Sequence, residues 1–333
     1  MKHKTVPIFV PHMGCPNDCS FCNQRKITGN ENAMTPEIAD EQIQKALKTM
    51  PEDADCVEIG FFGGSFTGID KDLQREFLTV AKKYKDAGKI SEIRLSTRPD
   101  YINSEILELI KSYGVTTVEL GAQSMDDRVL RLNRRGHTET DTKRASEMIK
   151  ASGIKLGLQM MTGLYGDSDD TCRKSCEKII ALKPDCVRIY PTLVLANTYL
   201  DELYKSGEYT PQTLDEAVSL CADLKERFDA EGISVIRIGL MASDNINPDA
   251  DVTAGPYHPS IGELVQSEIY YRRLVKEIDA DAQIFVNSKD ISAFTGNKKN
   301  NIKRLKNAGF DVQFLQDDSI TQGSFKIQRK EQR

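Results

Sequence analysis

The sequence has no apolar run approaching the roughly 20 residues of a membrane-spanning helix, its longer ones resembling Val6–Val10. Its first residues carry neither the apolar core nor the cleavage site of a secretory signal. No membrane is implied, and a cytoplasmic location is expected. Basic excess is lacking too: 45 Lys and Arg against 50 Asp and Glu give a net charge of −5, which argues against indiscriminate nucleic-acid binding. Low-complexity segments and long Gly/Ser linkers are missing. The 333 residues, 39% hydrophobic and 29% charged, suit one large α/β domain with a small appendage.

Also missing is a fourth ligand beside the most informative motif, Cys15-Pro-Asn-Asp-Cys19-Ser-Phe-Cys22. Three of the 8 cysteines fall in this one loop, which favours metal ligation in a reducing compartment over disulfides. A structural zinc site closes with four protein ligands, whereas three thiolates on an iron–sulfur cluster leave one iron open. Spacing alone leaves two readings: an open cluster, or a zinc knuckle completed by His12 or a distant ligand. Cys172 and Cys176, four apart on a helical stretch with Ile179 and Ile180, read as core thiols, as do Cys56 and Cys221.

From Pro7 to about Leu240 short apolar runs alternate with amphipathic stretches, the pattern of repeated βα units and a parallel sheet. Strands are expected at Pro7–Pro11, Cys56–Phe62, Glu92–Ser96, Thr117–Ala122, Lys155–Met161, Cys186–Tyr190 and Ser234–Leu240, with helices near Pro36–Thr49, Lys71–Lys85, Ser104–Tyr113, Asp141–Ala151, Asp169–Leu182 and Pro211–Glu231. A covered parallel sheet should be apolar on both faces, yet Arg94, Ser96 and Arg98 share a face, as do Glu119 and Gln123; Gln159, Arg188, Tyr190 and Arg237 stand opposite apolar neighbours. Such polar faces fit a wet lumen, hence an α/β fold of the partial, open TIM type, a (β/α)6 barrel. The Asp/Asn/Pro/Gly-rich stretch from Ser243 to Pro259 suggests a boundary, with residues 1–242 forming the barrel and 243–333 a small α+β module.

Strand Cys56–Phe62 runs into Gly63-Gly64-Ser65, where a glycine pair lets backbone approach a ligand. Taken with Cys15–Gln24, Ser96-Thr-Arg-Pro-Asp100, Glu119–Ser124, Asn133–Thr138, Gln159–Leu164 and Val187–Pro191, the pattern resembles the radical S-adenosylmethionine (SAM) enzymes, in the branch containing the elongator complex catalytic subunit and, more distantly, the oxygen-independent coproporphyrinogen oxidases. Gln159 and Tyr165 depart from the oxidases and weaken transfer of a porphyrin substrate. The resemblance implies a 4Fe-4S cluster on Cys15, Cys19 and Cys22, with Phe21 in front of the third thiol. It further implies SAM as cofactor or co-substrate, oxygen sensitivity, and an electron donor such as flavodoxin or ferredoxin. By the same resemblance Gly63, Gly64 and Ser65 would receive the methionine amino group, Ser96 and Gln123 would contact methionine or ribose, and Arg135 would hold the carboxylate; Arg98, Glu119, Gln159, Arg188 and Tyr190 join the cofactor-facing set.

Toward the carboxyl end, Tyr257 and His258 in Gly255-Pro-Tyr-His-Pro259 are candidates for substrate contact or proton transfer, or else form a Pro-bounded turn. Residues 285–333 hold ten Lys and Arg against five acids, so this end is +5 and the remainder −10. Within it Gly296-Asn-Lys298-Lys299 joins two helical segments, resembling a KH-type loop that clamps a nucleic-acid backbone, although Lys299 replaces the second glycine. Lys298, Lys299, Lys303 and Arg304 are the candidate RNA contacts. The elongator subunit's acetyltransferase domain has no counterpart in these 333 residues, so its reaction does not transfer intact. The leading expectation is SAM cleavage to a 5′-deoxyadenosyl radical for modification of tRNA or another RNA. The same chemistry on a small metabolite or peptide, and a non-catalytic cluster- or zinc-containing RNA-binding or regulatory protein, remain alternatives.

Overall fold

The computed structural model describes residues 3–10, 15, 19–22, 34–51, 54–240 and 250–330. They form two compact units, one containing residues up to Thr213 with Arg227–Tyr257, the other Leu214–Glu226 with His258 onward.

In the first unit, β1 (His3–Val10), β2 (Cys56–Gly63), β3 (Glu92–Thr97), β4 (Thr117–Gln123), β5 (Lys155–Thr162) and β6 (Cys186–Pro191) each pair in parallel with the next, and β8 (Ser234–Ile238) completes a seven-stranded sheet beside β6. β1 and β8 are its two edges, so the barrel is open. Between the strands run α1 (Pro36–Lys48), α2 (Lys71–Asp86), α3 (Ser104–Ser112), α4 (Asp127–Leu132), α5 (Glu139–Ala151), α6 (Asp169–Ala181), α7 (Tyr199–Lys205) and α8 (Leu214–Ala230). All seven expected strands and six expected helices are present. The short α4 and α7, and the small pairing of β7 (Val194–Leu195) with β9 (Val252–Ala254), went unanticipated.

Local chemistry starts these helices. Asp70 Oδ1 accepts from Asp72 N at 2.9 Å, Asn103 Oδ1 accepts from Ile106 N at 2.9 Å, and Thr138 with Asp141 forms a capping box. Strand alternation then sorts the side chains. Ile93 and Leu95 of β3 are wholly buried apolar residues, while Arg94 and Ser96 between them line the lumen. Phe61, Phe66 and Phe77 interlock, the first pair with ring centroids 4.9 Å apart.

The second unit is a three-stranded sheet in the order β11 (Val312–Gln316), β10 (Ala282–Val286), β12 (Phe325–Arg329), with α9 (Ile261–Glu277), α10 (Ile291–Thr295) and α11 (Asn300–Asn307). Phe294 stacks on Tyr270 with centroids 3.9 Å apart and meets Phe325 edge-on. Arg272 Nη2 donates to the Ser219 carbonyl and Arg273 pairs with Glu226, contacts that draw the first part of α8 into this unit.

Candidate active site

A cavity of about 1100 Å³ occupies the barrel lumen. It is lined by Cys15, Cys19 and Cys22, by Phe21, and by every one of Gly63, Gly64, Ser65, Ser96, Arg98, Glu119, Gln123, Arg135, Gln159, Arg188 and Tyr190. The folded barrel therefore gathers the whole cofactor-facing set that the sequence suggested. None of the cysteines forms a disulfide.

Backbone at the carboxyl ends of the strands shapes this region. Gly63 holds φ 101°, and Gly64 N donates to Val10 O at 2.9 Å, so the turn after β2 needs a glycine at its first position. Ser65 Oγ lies 2.8 Å from Thr97 Oγ1 and accepts from Arg98 N at 3.2 Å, fastening this turn to the end of β3. Gln123 sits at φ 64° just past a bulge in β4, left-handed backbone that a non-glycine residue adopts at a cost of order 1–3 kcal/mol. Its Oε1 accepts from Gln159 Nε2 at 3.1 Å.

The Cys loop is tied to the barrel by several bonds. Ser20 N donates to Asn133 O at 3.1 Å, Ser20 Oγ donates to Asn133 Oδ1 at 2.6 Å, and Leu200 N donates to Ser20 O at 2.7 Å. Phe21 packs with Val129, Met161, Leu164 and Tyr190. α4 and α7, which sequence periodicity overlooked, thus bracket this loop. Arg135 Nη1 approaches Cys19 Sγ at 3.2 Å while its Nη2 donates to Gly121 O at 2.7 Å. Burial pushes the Cys15 thiol pKa up, against the Ser65 N–H and the Arg98 and Arg135 guanidiniums, which favour its thiolate.

Deeper in the lumen an ion ladder crosses four strands. Arg94 Nε donates to Glu58 at 2.9 Å and its Nη1 to Glu119 Oε2 at 3.2 Å; Arg188 Nε reaches Glu119 at 2.9 Å and stacks over Phe62 at 5.3 Å. Burial alone would lower the Arg94 pKa, but Glu58, Cys186 and Glu119 raise it. Glu58 and Thr5, whose Oγ1 donates to Glu58 Oε1 at 3.1 Å, belong to this network and were not singled out from the sequence. The period-2 face Cys56, Glu58, Gly60, Phe62 carried the signal for Glu58.

The cavity's donor set suits an iron–sulfur cluster with SAM. Cys15, Cys19 and Cys22 all line this cavity, and in a cluster each thiolate would bind a different iron, leaving one iron open. Arg98 is 3% exposed, uses Nε and Nη2 on Asp100 at 2.9 Å, and keeps Nη1 buried without a partner among the described residues. An unpartnered buried guanidinium nitrogen beside the thiols matches an anionic occupant. His12, the suggested alternative zinc ligand, lies outside the described residues.

Other candidates stand elsewhere. Tyr257 packs with Leu193, Leu195 and Val252 and is not among the cavity-lining residues. In the second unit, His258 Nδ1 accepts from Ser260 N at 3.1 Å. Lys298, Lys299 and Lys303 are exposed, without an ion pair among the described residues, whereas Arg304 donates to Glu268 Oε2 at 2.6 Å and lies 3.4 Å over the Tyr271 ring.

Comparison with known proteins agrees with this geometry. Residues 9–179 match the Radical SAM superfamily and 184–271 the Radical_SAM C-terminal domain. The chain is 31% identical over 199 residues to a tRNA uridine(34) acetyltransferase of Methanocaldococcus infernus, covering 54% of this chain and 37% of that protein. It is 30% identical over 196 residues to human Elongator complex protein 3, covering 53% and 36%. A solved archaeal Elp3 from M. infernus superposes with TM-score 0.64 at 25% identity, over 83% of this chain and 63% of that one. Streptococcus suis SuiB bound to S-adenosylmethionine shares the fold at TM-score 0.52 and 14% identity. The chain thus spans little more than a third of the length of these two curated relatives. With its thiols, glycine turn and polar lumen in one open barrel, the chain belongs to the radical SAM superfamily, in the company of Elp3.

Proposed function

We propose that this radical SAM enzyme reductively cleaves S-adenosylmethionine and directs the resulting radical at a tRNA or another RNA. One observation carries the reading: three thiols, a glycine turn and the buried Arg98, whose Nη1 has no partner among the described residues, meet in one cavity of about 1100 Å³. When bound, the 4Fe-4S cluster and SAM supply an electron and a 5′-deoxyadenosyl radical.

The chain's own residues bind, orient and exclude water. Cys15, Cys19 and Cys22 hold the cluster; Gly63 and Gly64 offer backbone to the methionine amino group, and Ser96 and Gln123 face methionine or ribose. Arg135 would hold the SAM carboxylate, and Arg98, its Nη1 buried beside the thiols, would offer positive charge to an anionic cluster. Phe21, packed among Val129, Met161 and Leu164, screens the loop from water. An external donor such as flavodoxin or ferredoxin supplies the electron.

The substrate reading draws on relatives named for tRNA uridine(34) and on the exposed Lys298, Lys299 and Lys303 of the second unit, which have no ion pair among the described residues and suit a phosphate backbone. Tyr257 and His258 are held as substrate-side candidates. Anaerobically reconstituted protein with dithionite and SAM should release 5′-deoxyadenosine, and Cys19→Ala should reduce release to background; a colourless protein with no release overturns the chemistry. Nucleoside mass spectrometry of tRNA from cells with and without the gene should reveal one altered nucleoside. No difference transfers the substrate to a small metabolite or peptide.

A further inference from the structure

Among the described residues, one group of three metal-type donors has all its ligand atoms within 4.8 Å of one another: a ring nitrogen of His3, Cys56 Sγ and a carboxylate oxygen of Glu92. We propose that these residues form a second metal site, for a divalent ion of the zinc class, at the amino-terminal ends of β1, β2 and β3, apart from the Cys15–Cys22 loop.

The fold brings them together through register. Parallel pairing sets His3 opposite Cys56 and Glu58 opposite Glu92, so the first residues of three adjacent strands open at one end of the lumen. Imidazole, thiolate and carboxylate make a mixed donor set that zinc accepts, whereas calcium and magnesium want oxygen throughout. Zinc bonds of about 2.0–2.3 Å hold tetrahedral donors roughly 3.5 Å apart, close to the 3.9 Å between His3 Nε2 and Glu92 Oε2, so the site needs only a small closure. The His3 side chain is 38% exposed and sits at the start of an edge strand, which leaves it free to make that movement.

Outer partners already aim the ligands. Lys155 Nζ donates to Glu92 Oε1 at 2.7 Å, and Glu92 Oε2 faces His3 Nε2 at 3.9 Å. Ser91 Oγ lies 3.1 Å from Cys56 Sγ. Hydrogen-bonded partners of this kind fix ligand orientation at metal centres. Glu58 is also 3.9 Å from His3, but both its oxygens accept from Arg94 and one from Thr5, so it is not counted as a ligand. Three protein ligands leave the fourth position to water. The ordinary alternative is a loose ion pair of a protonated His3 with the two acids, which needs no thiol. A bound ion would instead fasten the edge strand β1 to β2 and β3, the strand that precedes Cys15 in the chain.

The test uses the full chain, tag-free and chelator-stripped, carrying Cys15→Ala, Cys19→Ala and Cys22→Ala so that the loop thiols cannot compete. Titrated with Co²⁺, it should bind one ion per chain with a thiolate-to-cobalt charge-transfer band, and Zn²⁺ should displace the cobalt and raise the thermal midpoint. Adding Cys56→Ser should abolish the band, and His3→Ala should weaken binding at least tenfold while circular dichroism stays unchanged. Substoichiometric binding, or a band that survives Cys56→Ser, overturns the proposal. If the triple variant does not fold, the metal content of the cluster-reconstituted wild type decides. One zinc per chain that is lost in His3→Ala supports the site, and absence of zinc after zinc-supplemented expression overturns it.

Discussion

The barrel lumen and the second unit bury opposite kinds of side chain. In the lumen Glu58, Arg94, Arg98, Glu119, Gln123 and Arg135 are all buried; Arg94 bonds to Glu58 and Glu119, Arg98 to Asp100, Gln123 to Gln159, and Arg135 to the loop thiol and to backbone. In the second unit the buried set is Tyr270, Leu274, Ile284, Val286, Phe294 and Leu305, with Ser267 and Asn301 as its buried polar pair. Asn301 Nδ2 donates to Ser267 Oγ and to the Ser267 and Phe294 carbonyls, so even that pair is satisfied internally. A buried ion ladder gains little stability over apolar packing of similar volume, because desolvation offsets Coulomb attraction. Its presence marks the lumen as built for a charged occupant. The second unit puts its charge outside and its packing inside, as a display scaffold does.

Breaking the ladder should have the largest effect. Glu119→Gln leaves buried Arg94 and half-buried Arg188 without their shared carboxylate and should cost about 3–5 kcal/mol in denaturant unfolding. A loss below 1 kcal/mol would mean water already solvates the ladder. Acid tests the same contrast. His137 is 4% exposed, its Nε2 meets Ala122 O at 3.2 Å, and burial first, then Arg135 and Arg98, lowers its pKa to about 4. Its folded pKa lies below the unfolded value near 6.5, so the unfolded chain takes the proton first. Stability is full above that value and falls by roughly 3 kcal/mol as the pH drops to about 4. His137→Gln should flatten that limb of the thermal midpoint against pH. At the second unit's rim, Arg304→Ala removes a half-exposed ion pair and a ring contact and should cost about 1 kcal/mol.

These differences explain how far the sequence could be read. Period-2 alternation betrays the lumen because a charged residue between Ile93 and Leu95, or between Val187 and Ile189, is conspicuous. The strands and the polar side chains that they turn into the lumen were therefore legible. α4 and α7 are only 6 and 7 residues long, too short for periodicity to register, although Asp126 and Thr198 cap them. Cys56 read as a core thiol because its neighbours His3 and Glu92 lie on other strands, and only parallel register brings them together. Arg304 read as a candidate RNA contact beside Lys303, since nothing in a basic stretch reveals that Glu268 and Tyr271 hold it.

The smallest expected effect separates backbone from charge in the second unit. Gly296, Lys298 and Lys299 adopt φ values of 77°, 50° and 59°, and a Cβ on Gly296 would come within 3.0 Å of Ser267 Oγ. Glycine is thus required at Gly296, whereas the two lysines hold left-handed backbone that ordinary side chains disfavour. If those positions persist for packing alone, glycine should replace lysine with gain. Lys299→Gly should then stabilise the chain by about 0.5–1 kcal/mol, and Lys299→Ala, which keeps a Cβ, should not. Both variants remove the same charge. On tRNA each should therefore lower the slope of log affinity against log salt by the same amount, roughly 0.7–0.9. Equal slopes with unequal stabilities would mean that strain is tolerated here to present charge. An unchanged slope in both would remove Lys299 from any RNA surface.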